Sequence, residues 1–122
     1  MGICCKLCSM SFNTPPKGGI KIPPDQQMNI LMQAHAFALT RPWKAEYQLF
    51  LRFKGKFCYL DGKHVNEENC FPLGRITYFE ENVWAFAFFT YSNLKYEPSI
   101  YRSGKWFGTL EEAIGICELY LV

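Results

Sequence analysis

The last fifteen residues, GTLEEAIGICELYLV, leave the chain the fewest choices. Thr109 is a good helix N-cap, and Glu112 three residues later completes a capping box, in which each side chain accepts from the other residue's free backbone N–H. Glu111 and Glu112 also oppose the positive end of the helix dipole. Leu110, Ala113, Ile114, Cys117 and Leu121 then share one apolar stripe, widened by Ile116 and Tyr120. A helix apolar on one side must lay that side on a second layer.

The sequence upstream supplies the layer as strands. VWAFAFFTY (83–91) alternates with Trp84, Phe86 and Phe88 on one face and Val83, Ala85, Ala87 and Phe89 on the other. Its small alanine face leaves room for a helix to approach, and its bulky face must meet a partner layer or stay exposed. LGRITYF (73–79) pairs with it through a turn at Glu80, Glu81 and Asn82. AEYQLFLRF (45–53) places Tyr47, Leu49, Leu51 and Phe53 on one face, and KFCYL returns the chain after a turn at Lys54 and Gly55. Asp61-Gly62 ends that return strand, and KHVNEENCFP is a polar loop. SNLKYEP reads as a loop, and SIYRSGKWF as a short hairpin turning at Ser103 and Gly104.

Near the start, NTPPKGGIKIPPD holds four prolines and two glycines, so no helix or ladder runs through it. Residues 1–25 read as an extended or flexible arm and 26–122 as a single domain. DQQMNILMQAHAFALTR predicts a helix with Asp25 as N-cap, an apolar stripe of Met28, Leu31, Met32, His35 and Leu39, and a stop before Pro42. A strand over AHAFALT is the rival there. The expected fold is α+β: an antiparallel sheet of four or five strands, a C-terminal helix packed on one face and an N-terminal helix.

Composition narrows function more than it names it. A chain with 49% hydrophobic and 20% charged residues is globular, and its 17% aromatic content fills a small core with large side chains. The net charge of +2 is too small to imply a polyanionic partner, but the charges are segregated. Residues 41–64 carry six basic groups against two acidic ones, and residues 65–122 carry four against eight. The halves can complement each other within the fold or within a self-associated pair. No run is apolar enough to cross a membrane, and the start lacks the apolar stretch of a secretory signal. The six cysteines are therefore read as reduced thiols of a cytoplasmic protein.

Sites for chemistry are sparse. Cys5-x-x-Cys8 is half of a zinc site, but the second close pair is missing, since five residues lie between Cys58 and His64 and again between His64 and Cys70. Gly2 with Cys4 and Cys5 resembles a doubly acylated start, yet Lys6 stands where that motif takes Ser or Thr. A thiolate pair of Cys70 with His64 is the one catalytic arrangement the loop admits. Neighbouring glutamates such as Glu80 and Glu81 point apart and make poor acid–base couples. No metal, cofactor or small-molecule substrate is expected.

GKWFGTLEEAIGICELYL, with the strands from Arg75 onward, resembles in layout the AP2-type DNA-binding domain of plants and the arm-binding domain of phage-type integrases. The resemblance covers about 47 residues, counted from Arg75 to Leu121. It implies a three-stranded sheet and a helix, with the sheet presenting Arg and Lys to a major groove; this chain offers Trp84, Phe86 and Phe88 there instead. YFEENVWAFAFFTYSNLKYEPSIYRSGKWFGTLEEA also resembles a set of short bacterial proteins of no assigned activity, which implies a bacterial or archaeal cytosolic origin.

The leading expectation is a non-enzymatic module that binds a protein or itself through Trp84, Phe86, Phe88, Tyr91 and Tyr96. Nucleic-acid binding through the basic hairpin residues Arg52, Lys54, Lys56 and Lys63 is the first alternative, and a Cys70/His64 enzyme the second.

Overall fold

The computed structural model describes residues 14–122. Helix α1 spans Pro24–Ala38; strands β1 to β6 span Tyr47–Lys54, Phe57–His64, Phe71–Glu80, Val83–Thr90, Lys95–Ser99 and Phe107–Gly108; helix α2 spans Leu110–Cys117. The strands form one antiparallel sheet in the order β1-β2-β3-β4-β5, and β6 joins β4 beyond the end of β5. The chain is an α+β protein with both helices on the same side of the sheet.

Helix α2 forms for the reasons its sequence gives. Thr109 and Glu112 make the reciprocal capping box, and Leu110, Ala113, Ile114, Cys117 and Leu121 are all buried. They pack against the β4 rings Trp84 and Phe86 and against Leu60, Leu73 and Ile76. The helices therefore cover the bulky face of β4, not the alanine face. The physical reason lies in the filling: large rings span the gap between layers, while alanines would leave it empty. Tyr101 locks this joint. It is buried, its hydroxyl donates to Trp84 O at 2.9 Å, and its ring occupies the space that a Cβ on Gly108 would need, with ring atoms 2.6 Å from that position.

Helix α1 is present and ends before Pro42 as expected, but its register on the protein differs. Pro23 occupies the N-cap position and no side chain caps the helix, so Asp25 lies inside the first turn. Its buried residues are Ile30 and Ala34, whereas Met28 (62%) and Met32 (64%) are exposed and Leu31 and Leu39 join them. Ala34 is small enough to let α1 come close to α2, and Gln33 then reaches Glu111 at 2.8 Å. The Met/Leu stripe, expected to be core, faces outward. Before α1, Ile20 N–H donates to Tyr78 O and Ile22 N–H to Gly55 O, and Ile22 is fully buried. The last part of the expected arm is thus docked on the domain.

Three local expectations are corrected. The hairpin turn lies at Gly55 and Lys56, with Gly55 at φ 59°. Asp61-Gly62 is not a turn: β2 runs through both to His64, and Gly62 is needed because Phe71 and Leu121 press on it, with a Cβ position only 3.0 and 3.2 Å from their side chains. SNLKYEP contributes β5, and SIYRSGKWF is not a hairpin, since β5 and β6 each pair with β4 and residues 101–105 form a tight loop between them.

Candidate binding surface on the open face of the sheet

The covered face holds Cys58, Leu60, Ile76, Tyr78, Trp84 and Phe86. Strand periodicity sends the alternate residues to the opposite face, over which no helix lies among the described residues. Register places Arg52, Tyr59, Arg75, Ala87 and Pro98 side by side across the sheet, and Lys54, Phe57, Thr77, Ala85 and Phe107 in the next row. Phe89 and Tyr96 face each other on β4 and β5.

These side chains touch one another. Tyr59 meets Tyr96 at 5.4 Å and Phe57 at 6.1 Å between ring centroids, and Tyr96 meets Phe89 at 5.0 Å. The Arg75 guanidinium lies between Phe57, 4.4 Å from its centroid, and Tyr96, 5.4 Å away. Among the described residues Arg75 has no carboxylate partner and makes no side-chain hydrogen bond; its Nε is buried without an acceptor. A desolvated cationic donor left unpaired is costly. The ring quadrupoles offset part of that cost, and an incoming oxygen at the terminal nitrogens would offset more.

Arg52 makes the contrasting arrangement. It sits 4.7 Å from the Tyr59 centroid and donates from Nε to Asp61 Oδ2 at 2.6 Å. Asp61 is the one charged residue in the buried class among the described residues. It cancels Arg52 and leaves Arg75, Lys54 and Lys63 as the uncompensated cations of this face. Burial, with the Asp61 charge added, pushes the Tyr96 hydroxyl up, so the ring stays neutral and keeps its donor at physiological pH.

The expected contact residues divide. Trp84 (1% exposed) and Phe86 (3%) are core and all but sealed from solvent, because the helices lie on them. Phe88 is half-buried and stacked on Tyr120 at 4.8 Å with 5° between planes. Tyr91 is exposed at the end of β4, where its hydroxyl donates to Pro72 O at 2.6 Å. Tyr96 lies on the open face. Of the hairpin cations, Arg52, Lys54 and Lys63 share that face, whereas Lys56 turns back and donates from Nζ to Gly18 O at 2.8 Å. Phe57, Tyr59, Arg75 and Phe89 were not among the expected site residues; the parity of β2 and β4, matched to Tyr96, is the signal that joins them.

The thiols offer little chemistry. Cys58 is buried, which pushes its thiol up to about 12, and burial pushes Cys117 up as well. Cys70 is exposed and has no disulfide partner among the described residues. No hydrogen bond joins it to His64 among the described residues; His64 Nδ1 accepts from Asn66 N–H at 3.1 Å, and its ring meets Tyr47 edge-on. No group of three or more metal-ligating side chains occurs among the described residues. Cys4, Cys5 and Cys8, with the half zinc site and the Gly2 start, lie outside the described residues. No helix of the described residues is long and apolar enough to cross a membrane.

Comparison of the chain with protein-family models, with curated proteins and with solved structures finds no match.

Proposed function

We propose that the protein is a non-enzymatic binding module whose working surface is the open sheet face, and that the ligand best suited to this face is a single-stranded nucleic acid. The observation that carries the reading is the unpaired Arg75 guanidinium held between Phe57 and Tyr96, in a row continued by Tyr59 and Phe89. Bases stack on rings whatever their identity, and an arginine set among the rings takes the phosphate between them. Lys54 and Lys63 extend the positive charge along β1 and β2.

The test is fluorescence anisotropy with labelled oligouridine and oligothymidine. Binding is expected to weaken between about 50 and about 200 mM salt, with each neutralised phosphate adding about 0.7 to the slope of log K against log salt. Arg75→Ala and Tyr59→Ala should each weaken it without unfolding the protein. No binding to either oligonucleotide at the lower salt, or equal binding by wild type and both variants, ends this reading.

Binding to a protein, the reading first suggested by the aromatic strand, rests on different residues once Trp84 and Phe86 are found in the core. What favours it is the exposed stripe of α1 beside the edge of β1, which pairs with no strand but β2 among the described residues.

A further inference from the structure

We infer that β1 is the dimerisation edge of the protein, pairing antiparallel with β1 of a second copy about a two-fold axis perpendicular to the sheet. It does not rest on the Arg75 cluster of the open face: it uses the edge of the sheet and the outer side of α1, and shares with that reading only Arg52 and Lys54.

Strand β1 pairs only with β2, so among the described residues its other edge is open for eight residues. The two-residue hairpin closes with Lys54 opposite Phe57, which directs the backbone groups of Arg52, Phe50 and Gln48 toward β2. The N–H and C=O groups of Tyr47, Leu49, Leu51 and Phe53 therefore point away from the sheet. Beside this edge, α1 and β1 enclose an apolar groove of about 550 Å³ whose walls include Leu31, Met32, Leu39, Leu49 and Leu51. Met28, Met32, Leu39 and Phe50 are exposed around it. A long open edge beside exposed apolar side chains is what sheet proteins ordinarily cover or blunt.

A second copy covers both features with one operation. A two-fold axis perpendicular to the sheet keeps each copy's helices on the same side, so α1 lies next to its equivalent and the two Met/Leu stripes meet. The sequence of β1 also complements itself in one register, centred on Phe50. There Phe50 faces Phe50, Leu49 faces Leu51, Tyr47 faces Phe53 and Gln48 faces Arg52, while Glu46, the turn residue just before the strand, comes beside Lys54. Every outward backbone group finds a partner, the apolar residues oppose one another, and the charge pair at each end is of opposite sign. Sliding by two residues either way puts Gln48 or Lys44 opposite Lys54, and the carboxylate is lost. The lysine that shields an isolated edge becomes, in this register, half of a cross-strand pair.

Sedimentation velocity and light scattering of the 122-residue chain, without nucleic acid, test the inference. A dimer in the micromolar to sub-millimolar range is expected. Phe50→Lys puts two ammonium groups against each other on the axis and should leave a folded monomer, because residue 50 is exposed. Glu46→Lys alone and Lys54→Glu alone each create two like-charge oppositions per dimer and should raise the dissociation constant about tenfold. The double variant Glu46→Lys/Lys54→Glu restores opposite signs and should return to the wild-type value. A monomer throughout the range, a dimer indifferent to Phe50→Lys, or a double variant no better than its parents overturns the inference.

Discussion

The two faces of this sheet carry similar numbers of rings and use them in opposite ways. On the covered face Tyr78, Trp84 and Phe86 are sealed by two helices and pinned by the Tyr101 hydroxyl. No cation lies among them. On the open face Phe57, Tyr59, Phe89 and Tyr96 are half-exposed, and two arginines lie against them. Aromatic content alone therefore does not separate core from binding surface. The company the rings keep does: aliphatic side chains and small helix residues on one side, guanidinium groups on the other.

The difference predicts a ranked set of effects. Trp84→Ala, on the covered face, should cost about 3–5 kcal/mol in urea unfolding, through lost burial and the cavity left behind. A cost comparable to that of an exposed residue would mean that the helices do not seal this face. Tyr96→Ala should instead weaken oligonucleotide binding by about 1–3 kcal/mol. Its thermal midpoint should move far less than that of Trp84→Ala. If both substitutions act on stability alone, the open face is merely structural.

A smaller effect is expected where α2 meets the turn after α1. Glu118 accepts from Trp43 Nε1 at 2.7 Å and from Arg41 Nη2 at 2.9 Å. Burial alone would push its carboxyl up, but these hydrogen bonds and the Arg41 charge hold it below its ordinary 4.5. A carboxyl lowered in the folded state contributes stability that is fully present above the unfolded value and is lost as pH falls through the folded one. Glu118→Gln should therefore cost about 1 kcal/mol near neutral pH, a modest figure because Arg41 is accessible to solvent. The gap between variant and wild type should close as pH drops below about 4.5. A gap constant with pH would remove the charge from the account. The smallest effect belongs to the outer side of α1. In protein dilute enough to be monomeric, Met28→Gln should change stability by no more than about 0.5 kcal/mol. Ile30→Ala, on the buried side, should cost about 2–5 kcal/mol. Equal costs would return the helix to the register read from its stripe.

These outcomes also mark what the sequence alone discloses. The capping box and stripe of α2 are local signals, and the structure carries them unchanged. The parity of β4 is equally local, but the choice of which face to cover is not. That choice depends on ring volume filling the gap between layers, against a sequence preference for the alanine face. In α1 the most conspicuous apolar residues are long and exposed, while the contact is made through Ile30 and the small Ala34, whose value appears only once α2 is beside it. Asp61-Gly62 has turn chemistry, yet it is in mid-strand, because Arg52 pairs with the aspartate and Phe71 crowds the glycine. The setting of Arg75 is likewise not local. Phe57 and Tyr96 lie 18 and 21 residues away in sequence, and only the pairing of β2 with β3, of β3 with β4 and of β4 with β5 brings them around it.

Cys58 on β2 and Cys117 on α2 lie in the joint between sheet and helices, both at 0% exposure. Their sulfurs are unreactive while that joint is shut, since burial keeps them as neutral thiols. The fold thus contains its own clock. A thiol reagent that consumes Cys70 at once must wait for the layers to part before it reaches Cys58 or Cys117, and the length of that wait measures how often α2 lifts from the sheet.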